Sequence, residues 1–511
     1  MNPHDLPALS MLIWFPVASG LALGLLRDAA SARRAALAAA TLELLLSLVP
    51  VMGSDFSADG FQWQEKRPWI ASLNLNYHLG VDGISAPLLP FSALIGLLTV
   101  AASWNTVQRL HRLYFALLLA LQGFTLGVLC ALDLGLFFLF WELTLVPIFF
   151  LVALWGIGPR RRFAATQYTL LMLAGGTLLL LGFSLAALDH ARQAGAPGLA
   201  GLSFALPELL ETPLPPELQS VVFLLLLFGF AVKAPLFPFH VWLPALAMEG
   251  PVALTAILAG VKLGVYGILR LAIPLAPQAA QHHAGLVAAL GITGALYGSL
   301  LALRQTNWRS MLAYSGVSHV GLTLVGITAF NIQGLQGAAL QLINFTVAGG
   351  GAFLLVGFIH ARLGSTDASR LGGGARHLPL LASFLFVLGL AGMGIPGTAG
   401  FPAEHLILLG SFQARTGLGL AALAGIVLSA AGFLLLFRRT LLGPVANPEL
   451  PLLQDLKPRE WLIALAAILP VLGIGLFPQP LLDINRKPLL SWLQHLQPAD
   501  SPTLARHAPV R

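Results

Sequence analysis

Residues 134–156 read LGLFFLFWELTLVPIFFLVALWG, an apolar run broken only by Thr144 and one carboxylate, Glu142. The run has about the twenty residues that a helix needs to cross the hydrocarbon core of a bilayer. A charged side chain near mid-membrane costs at least ~2.5–3.5 kcal/mol, so a carboxylate at this place needs a use. The stretch therefore predicts a membrane-spanning helix that carries an ionisable group for a purpose.

Working outward, the whole chain has the same character. Its 511 residues are 57% hydrophobic and 10% charged, with a mean hydropathy of +0.83, whereas soluble chains carry about 25% charged residues. A water-soluble globular enzyme is excluded. Apolar stretches of spanning length fall at 7–26, 33–53, 85–104, 112–131, 133–155, 164–187, 219–243, 252–273, 284–303, 308–328, 335–360, 378–411, 417–437 and 460–480. The fold class is an all-α polytopic membrane protein of about fourteen transmembrane helices. Residues 1–7 lack Lys and Arg, and the first stretch runs to Leu26 without a small-residue cleavage signal, so it reads as a retained helix. Segments 54–84 and 188–218 read as loops or short surface helices. The tail from Asp483 mixes Leu489-Leu490 and Trp492-Leu493 with charge, as an interfacial helix does, and disorder after Pro498 fits it equally well.

The net charge of +7 does not point to nucleic acid. Most Lys and Arg residues lie in the loops after odd-numbered spans, among them Arg33, Arg109, Arg160, Arg309, Arg362 and Arg459. The positive-inside rule then puts both termini on the non-cytoplasmic side. One cysteine, Cys130, excludes a disulfide framework and a cysteine-held iron–sulfur cluster built from this chain alone. No phosphate-binding loop or HExxH motif occurs, and Gly372-Gly373-Gly374 reads as a flexible turn.

Two spans are expected to break. The seventh runs through Lys233 into Pro235, Pro238 and Pro244, and the twelfth meets Gly394-Ile395-Pro396-Gly397 before Glu404. Five helices apart, they cross in opposite directions, as corresponding broken helices of an inverted repeat do. Near these breaks lie the candidate proton carriers: Glu142, Lys233, Lys262, His319 and Glu404. Burial disfavours the charged form of a lysine or a glutamate and pairing restores it, so a Glu142–Lys233 pair can act as a proton switch. The competing readings are a static ion pair for Glu142 and Lys233, a snorkelling Lys262, a His319 bonded to Ser315 or Ser318, and a helix-start carboxylate for Glu404. His240, Tyr266, Tyr314, Thr255, Gln341, Asn344 and Thr346 are further polar residues for a hydrated line, each also a plausible interhelical hydrogen-bond former.

The motifs at 134–156, FAVKAPLFPFHVWLP (230–244), LAGVKLGVYGILR (258–270), MLAYSGVSHVGL (311–322), GIPGTAGFPAEHLILLGSF (394–412) and GLFPQPLLD (475–483) run in order over nearly the whole chain. In this they resemble the M chain (NuoM type), an antiporter-like subunit of respiratory complex I, NADH–quinone oxidoreductase. The resemblance implies fourteen helices with two inverted five-helix repeats. It implies a division into 1–110, a first repeat at 111–275, a second at 276–440, and a last helix with tail at 441–511. Glu142 and Lys233 would be the coupled pair of the first repeat, Lys262 the central lysine, His319 the relay of the second repeat and Glu404 its terminal acid. It further implies proton transfer driven by quinone reduction elsewhere, no cofactor in this chain, and NADH, FMN, iron–sulfur clusters and quinone in other subunits. Sister antiporter-like subunits, lipid and protons would be its partners, and the bacterial inner membrane its place. Homologous chains also serve cation/proton antiporters, membrane hydrogenases and carbon-dioxide-uptake complexes; a passive scaffold is a third reading, against which the buried ionisable groups argue. Two departures stand out: Ala245-Leu246-Ala247 replaces the family's Asp-Ala-His, and Phe345 stands where the eleventh helix usually brings a histidine.

Overall fold

The computed structural model describes residues 7–195, 201–445, 447–448 and 450–496. Among these, twelve helices are long and apolar enough to cross a membrane, and two shorter apolar helices, Leu88–Ala102 and Pro379–Gly392, occupy the third and twelfth expected spans. The all-α polytopic membrane reading holds. The most enclosed helices are Val252–Leu275, Trp308–Thr328 and Ile332–Leu363, with 83%, 89% and 94% of their most apolar windows buried, against 33% for the first two helices. Polar groups on the central helices are thus shielded by protein instead of facing lipid.

The seventh span ends its first helix at Lys233 (Pro216–Lys233) and resumes at Trp242–Glu249. The twelfth breaks between Pro379–Gly392 and Gly400–Ala414, where Gly394 and Gly397 take φ of +63° and +89°. Left-handed backbone of this kind is open to glycine at little cost. Three irregularities went unforeseen. The eighth span parts at Val261-Lys262, between Val252–Gly260 and Leu263–Gly267. π-Helical turns run over Ile268–Ala272 and Phe345–Gly349, features found frequently at functional sites.

The segment 54–84 corrects an expectation of loops or surface helices. It contains an antiparallel hairpin, β1 (Gln62–Ile70) and β2 (Leu75–Val81), whose turn includes Asn74 at φ +48°, a residue type that tolerates this region. Directly after β2, Asp82 pairs with Arg270 at 2.7 Å, tying the hairpin to the π-turn of the eighth span. In the segment 188–218, the sixth helix continues to Gln193 and a short helix spans Leu206–Glu211.

The tail helix Gln479–Leu496 buries Asn485, Leu489, Trp492 and Leu496, one side at helical spacing. Its apolar side packs on the chain itself: the Trp492 indole N–H donates to the Leu269 carbonyl at 2.9 Å, and Gln336 donates to the Asn485 side chain. The expected disorder after Pro498 falls outside the described residues. Cys130 is buried and free.

The helices Ala284–Arg304 and Trp308–Thr328 approach through small residues, as membrane helices do. A Cβ on Gly321 would stand 2.3 Å from the Ala295 backbone nitrogen, whereas one on Gly285 would meet nothing within 4 Å. Gly321→Val is therefore expected to strip the subunit from the membrane fraction and Gly285→Val to leave it at wild-type amount, read by immunoblot of membranes. Equal accumulation of both variants would show that this contact does not govern the fold.

Candidate functional site

Lys233 is the last residue of its helix, so its side chain enters the space that the break opens. Its ammonium donates to Thr144 Oγ1 at 2.7 Å and to the Trp141 carbonyl at 3.1 Å, and it lies 4.1 Å from the centroid of the Trp141 ring. Thr144 also donates to the Trp141 carbonyl. Glu142, one residue beyond Trp141, points elsewhere. Its carboxylate oxygens lie against Gly176, where any Cβ would collide with Oε1, and neither has a hydrogen-bond partner. Glu142 and Lys233 form no ion pair within 4 Å among the described residues, though each remains within Coulombic reach of the other. A static ion pair is not what this structure holds.

A cavity of about 30 Å³ adjoins Lys233 and is lined also by Thr125, Thr144, Tyr168, Val261 and Leu263. A smaller one of about 10 Å³ is lined by Val261, Lys262, Leu263, Tyr266 and Thr346. At about 10–15 Å³ for each water, the larger has room for about two and the smaller for one at most. Both are bounded by the residues flanking Lys262, so the break in the eighth span stands between them.

Lys262 is 5% exposed, enclosed by protein where snorkelling would carry it out to an interface: the break turns its side chain inward. Its ammonium has no hydrogen-bond acceptor and rests 4.7 Å from the Phe345 ring centroid. The same ring lies 4.9 Å from the His319 imidazole. Phe345 thus separates Lys262 from His319.

His319 faces acceptors through both nitrogens. Nδ1 meets the Ser315 carbonyl at 2.7 Å and Nε2 the Gly392 carbonyl at 3.0 Å, the latter supplied by the end of the helix Pro379–Gly392. Glu404 Oε1 lies 3.4 Å from Nε2. Carbonyl oxygens only accept, so the doubly protonated ring satisfies these contacts. Of the two serines expected as partners, Ser315 bonds the ring, while Ser318 bonds Ser299 and the Ala295 carbonyl. Glu404 Oε2 packs against Gly394 and has no partner.

The remaining polar residues divide. Asn344 donates to Gln341 at 3.2 Å, leaving Asn344 Oδ1 and Gln341 Nε2 without partners. Thr346 donates to the Leu342 carbonyl and borders the Lys262 cavity. Thr255 and Tyr266 serve backbone carbonyls of Pro251 and Leu129. His240 lies among the rings of Phe237, Tyr297 and Tyr314, with Nδ1 unpartnered. Beside the Ala245-Leu246-Ala247 departure, Arg309 donates to the carbonyls of Ala247 and Met248 at the end of their helix, where a cation is favoured.

Sequence reading passed over Thr144 and Trp141 as lysine partners, since only the break placement brings them within reach. It also passed over Glu43, 1% exposed in the helix Ala29–Met52 with Oε1 unpartnered. The apolar neighbours of Glu43 in TLELLLSLVP were the available signal.

Residues 131–443 match the family model described as "NADH:quinone oxidoreductase/Mrp antiporter, TM". Residues 56–128 match the amino terminus of NADH-ubiquinone oxidoreductase chain 4. A NAD(P)H-quinone oxidoreductase chain 4 of Synechococcus sp. (strain JA-3-3Ab) is 37% identical, over 94% of this chain and 91% of its own length. NADH-quinone oxidoreductase subunit M of Rhodobacter capsulatus is 34% identical, with 98% of both chains covered. A chain in the structure of respiratory complex I from Thermus thermophilus with bound NADH superposes with a TM-score of 0.85 at 31% identity, over 96% of this chain and all of that one. With enclosed lysines, a histidine and a glutamate gathered at helix breaks, and with relatives matched nearly end to end, the chain belongs to the subunit M, or chain 4, family of antiporter-like membrane subunits of NADH–quinone oxidoreductases.

Proposed function

We propose that this chain carries protons across the membrane arm of an NADH–quinone oxidoreductase along Glu142, Lys233, Lys262, His319 and Glu404. The observation that carries this reading is the position of Lys233 and Lys262 at helix breaks, each beside a water-sized cavity that shares Val261 and Leu263. A lysine ammonium has three donors, of which Lys233 uses two, so one is free for water in the cavity. Movement of the Glu142 carboxylate toward or away from Lys233 changes how firmly the ammonium holds its proton. Released protons pass through the two cavities to Lys262, and from there around Phe345 to His319 and Glu404.

Because a phenyl ring carries no proton, the step past Phe345 depends on water held by Asn344 and Gln341, whose unpartnered atoms lie on the same helix, with Thr346 bordering the Lys262 cavity from the π-turn that follows. The redox chemistry belongs to other subunits, in keeping with a single, buried cysteine. Residues 111–275 and 276–440 act as two inverted repeats within a fourteen-span chain, the seventh and twelfth spans being their corresponding broken helices. The bacterial inner membrane holds the complex, with both termini outside the cytoplasm, as the arginine-rich loops require. Sister antiporter-like subunits flank it there.

In membranes carrying the assembled complex, Lys233→Ala and Glu142→Gln are expected to lower NADH-driven quinone reduction and proton pumping together by about tenfold, ~1.4 kcal/mol on the barrier, with assembly preserved on native gels. Normal rates of both would make the two residues structural. Asn344→Leu should slow pumping, whereas Phe345→His, which adds a proton-carrying ring at the gap, should preserve it; a loss with Phe345→His and none with Asn344→Leu would refute the route around the ring.

A further inference from the structure

At one end of the bundle, the helices Leu88–Ala102, Leu145–Trp155 and Gly350–Leu363 finish, and Val252–Gly260 and Pro458–Leu476 begin, around a cavity of about 650 Å³. Helix ends mark the level at which the apolar core of a membrane gives way to headgroups. The walls combine two kinds of side chain. Trp155 and Phe358 supply apolar and aromatic surface, and His360, Arg362, Lys457 and Arg459 supply cationic or donor groups.

Only one of these charges is spent within the protein. Arg362 pairs with Glu460 and also donates to the carbonyls of Phe358, Gln454 and Asp455. Lys457 and Arg459 have no carboxylate within 4 Å among the described residues, nor has Arg33, which donates to the carbonyl of the lining residue Val107. The Arg459 guanidinium lies within Coulombic reach of Glu460, the lining carboxylate already paired with Arg362, and of the Arg33 guanidinium. Nε of Arg33 and of Arg459, and Nδ1 of His360, are buried without a hydrogen-bond partner. Buried donors left unpaired cost about 1–3 kcal/mol each, more when charged, and like charges facing one another add to this. An oxygen-rich anion would remove both penalties at once. A second cavity, lined by Arg160, Arg161 and Arg162, shares Ile157 with the first, so the basic surface continues around the rim.

We propose that this cavity binds a phosphate-bearing anion, with Arg459, Lys457 and Arg33 holding its oxygens. Its depth at the helix ends and its Trp155–Phe358 wall favour an anionic phospholipid as the source, the phosphate taking the guanidiniums and the acyl chains following the apolar wall. Basic pockets between membrane helices recognise lipid headgroups in this way. The site does not rest on the proton path and uses none of its residues.

The test uses the assembled complex in neutral detergent, wild type and Lys457→Gln/Arg459→Gln, reloaded with phosphatidylglycerol or given inorganic phosphate alone. Retained lipid is counted by native mass spectrometry, and phosphate binding is followed by thermal shift. The double variant is expected to lose one tightly bound anionic lipid and to bind phosphatidylglycerol about thirtyfold more weakly, the effect of two cationic side chains near a membrane surface. Lys457→Arg/Arg459→Lys, which keeps both charges, should retain the lipid. A wild-type shift with inorganic phosphate and none with lipid would assign the site to free phosphate. If the double variant fails to assemble, Lys457→Gln alone, at an exposed side chain, gives the same comparison. Equal lipid retention and equal phosphate response in wild type and variant would overturn the proposal. So would a photo-crosslinker at Gln454 that captures only a neighbouring polypeptide.

Discussion

A cation inside a membrane protein needs oxygen around it, and a continuous helix has no backbone oxygen to spare. Interrupting the helix releases carbonyls that would otherwise accept from the next turn. In this chain each interruption coincides with an ionisable side chain. Lys233 ends one helix and reaches the Trp141 carbonyl. Gly392 ends another, and its carbonyl holds His319. Lys262 stands within the third. At Lys233 and His319 backbone carbonyls thus solvate the charge, while Lys262, without an acceptor, is left to the Phe345 ring and its cavity.

Aromatic rings complete this solvation in a way suited to movement. Trp141 lies under Lys233 and Phe345 under Lys262, and a ring face attracts a cation through its quadrupole. Unlike a carboxylate, a ring cannot take the proton. An ammonium held by a ring keeps part of its stabilisation without losing its proton to a permanent partner, and a water approaching from the cavity meets no competing acid. Phe345 serves Lys262 and His319 together, its ring forming a shared wall for the two.

The apolar spans, the proline- and glycine-rich breaks and the five ionisable groups were legible in the sequence, because each is a local pattern set against an apolar background. What joins distant segments was not. The Asp82–Arg270 pair links residues far apart in the chain, and no local signal in 54–84 announced either that pair or the hairpin before it. The eighth-span break lies between Gly260 and Gly264 without a proline, and glycines are too common in membrane helices to mark it. Glu43 was legible by the same rule that found Glu142. It stands among Ala36, Ala39 and Ala40 on the buried side of its helix, a pattern that ordinary helix packing also produces.

The two halves treat their acids differently, and the difference follows from where the break lies relative to the charge. In the second half, Glu404 sits in the first turns after its break, and Oε1 lies 3.4 Å from His319. In the first half, Glu142 precedes Thr144, and that hydroxyl, not the carboxylate, holds Lys233. A hydroxyl can both donate and accept, so Lys233 can exchange its contact with Thr144 for one with Glu142 without leaving a bare charge. His319 is held more closely, by carbonyls at both nitrogens and by the Ser315 hydroxyl at Nδ1. Lys233 is thus held by a hydroxyl and one carbonyl, His319 by two carbonyls and a hydroxyl, and Lys262 by no acceptor at all.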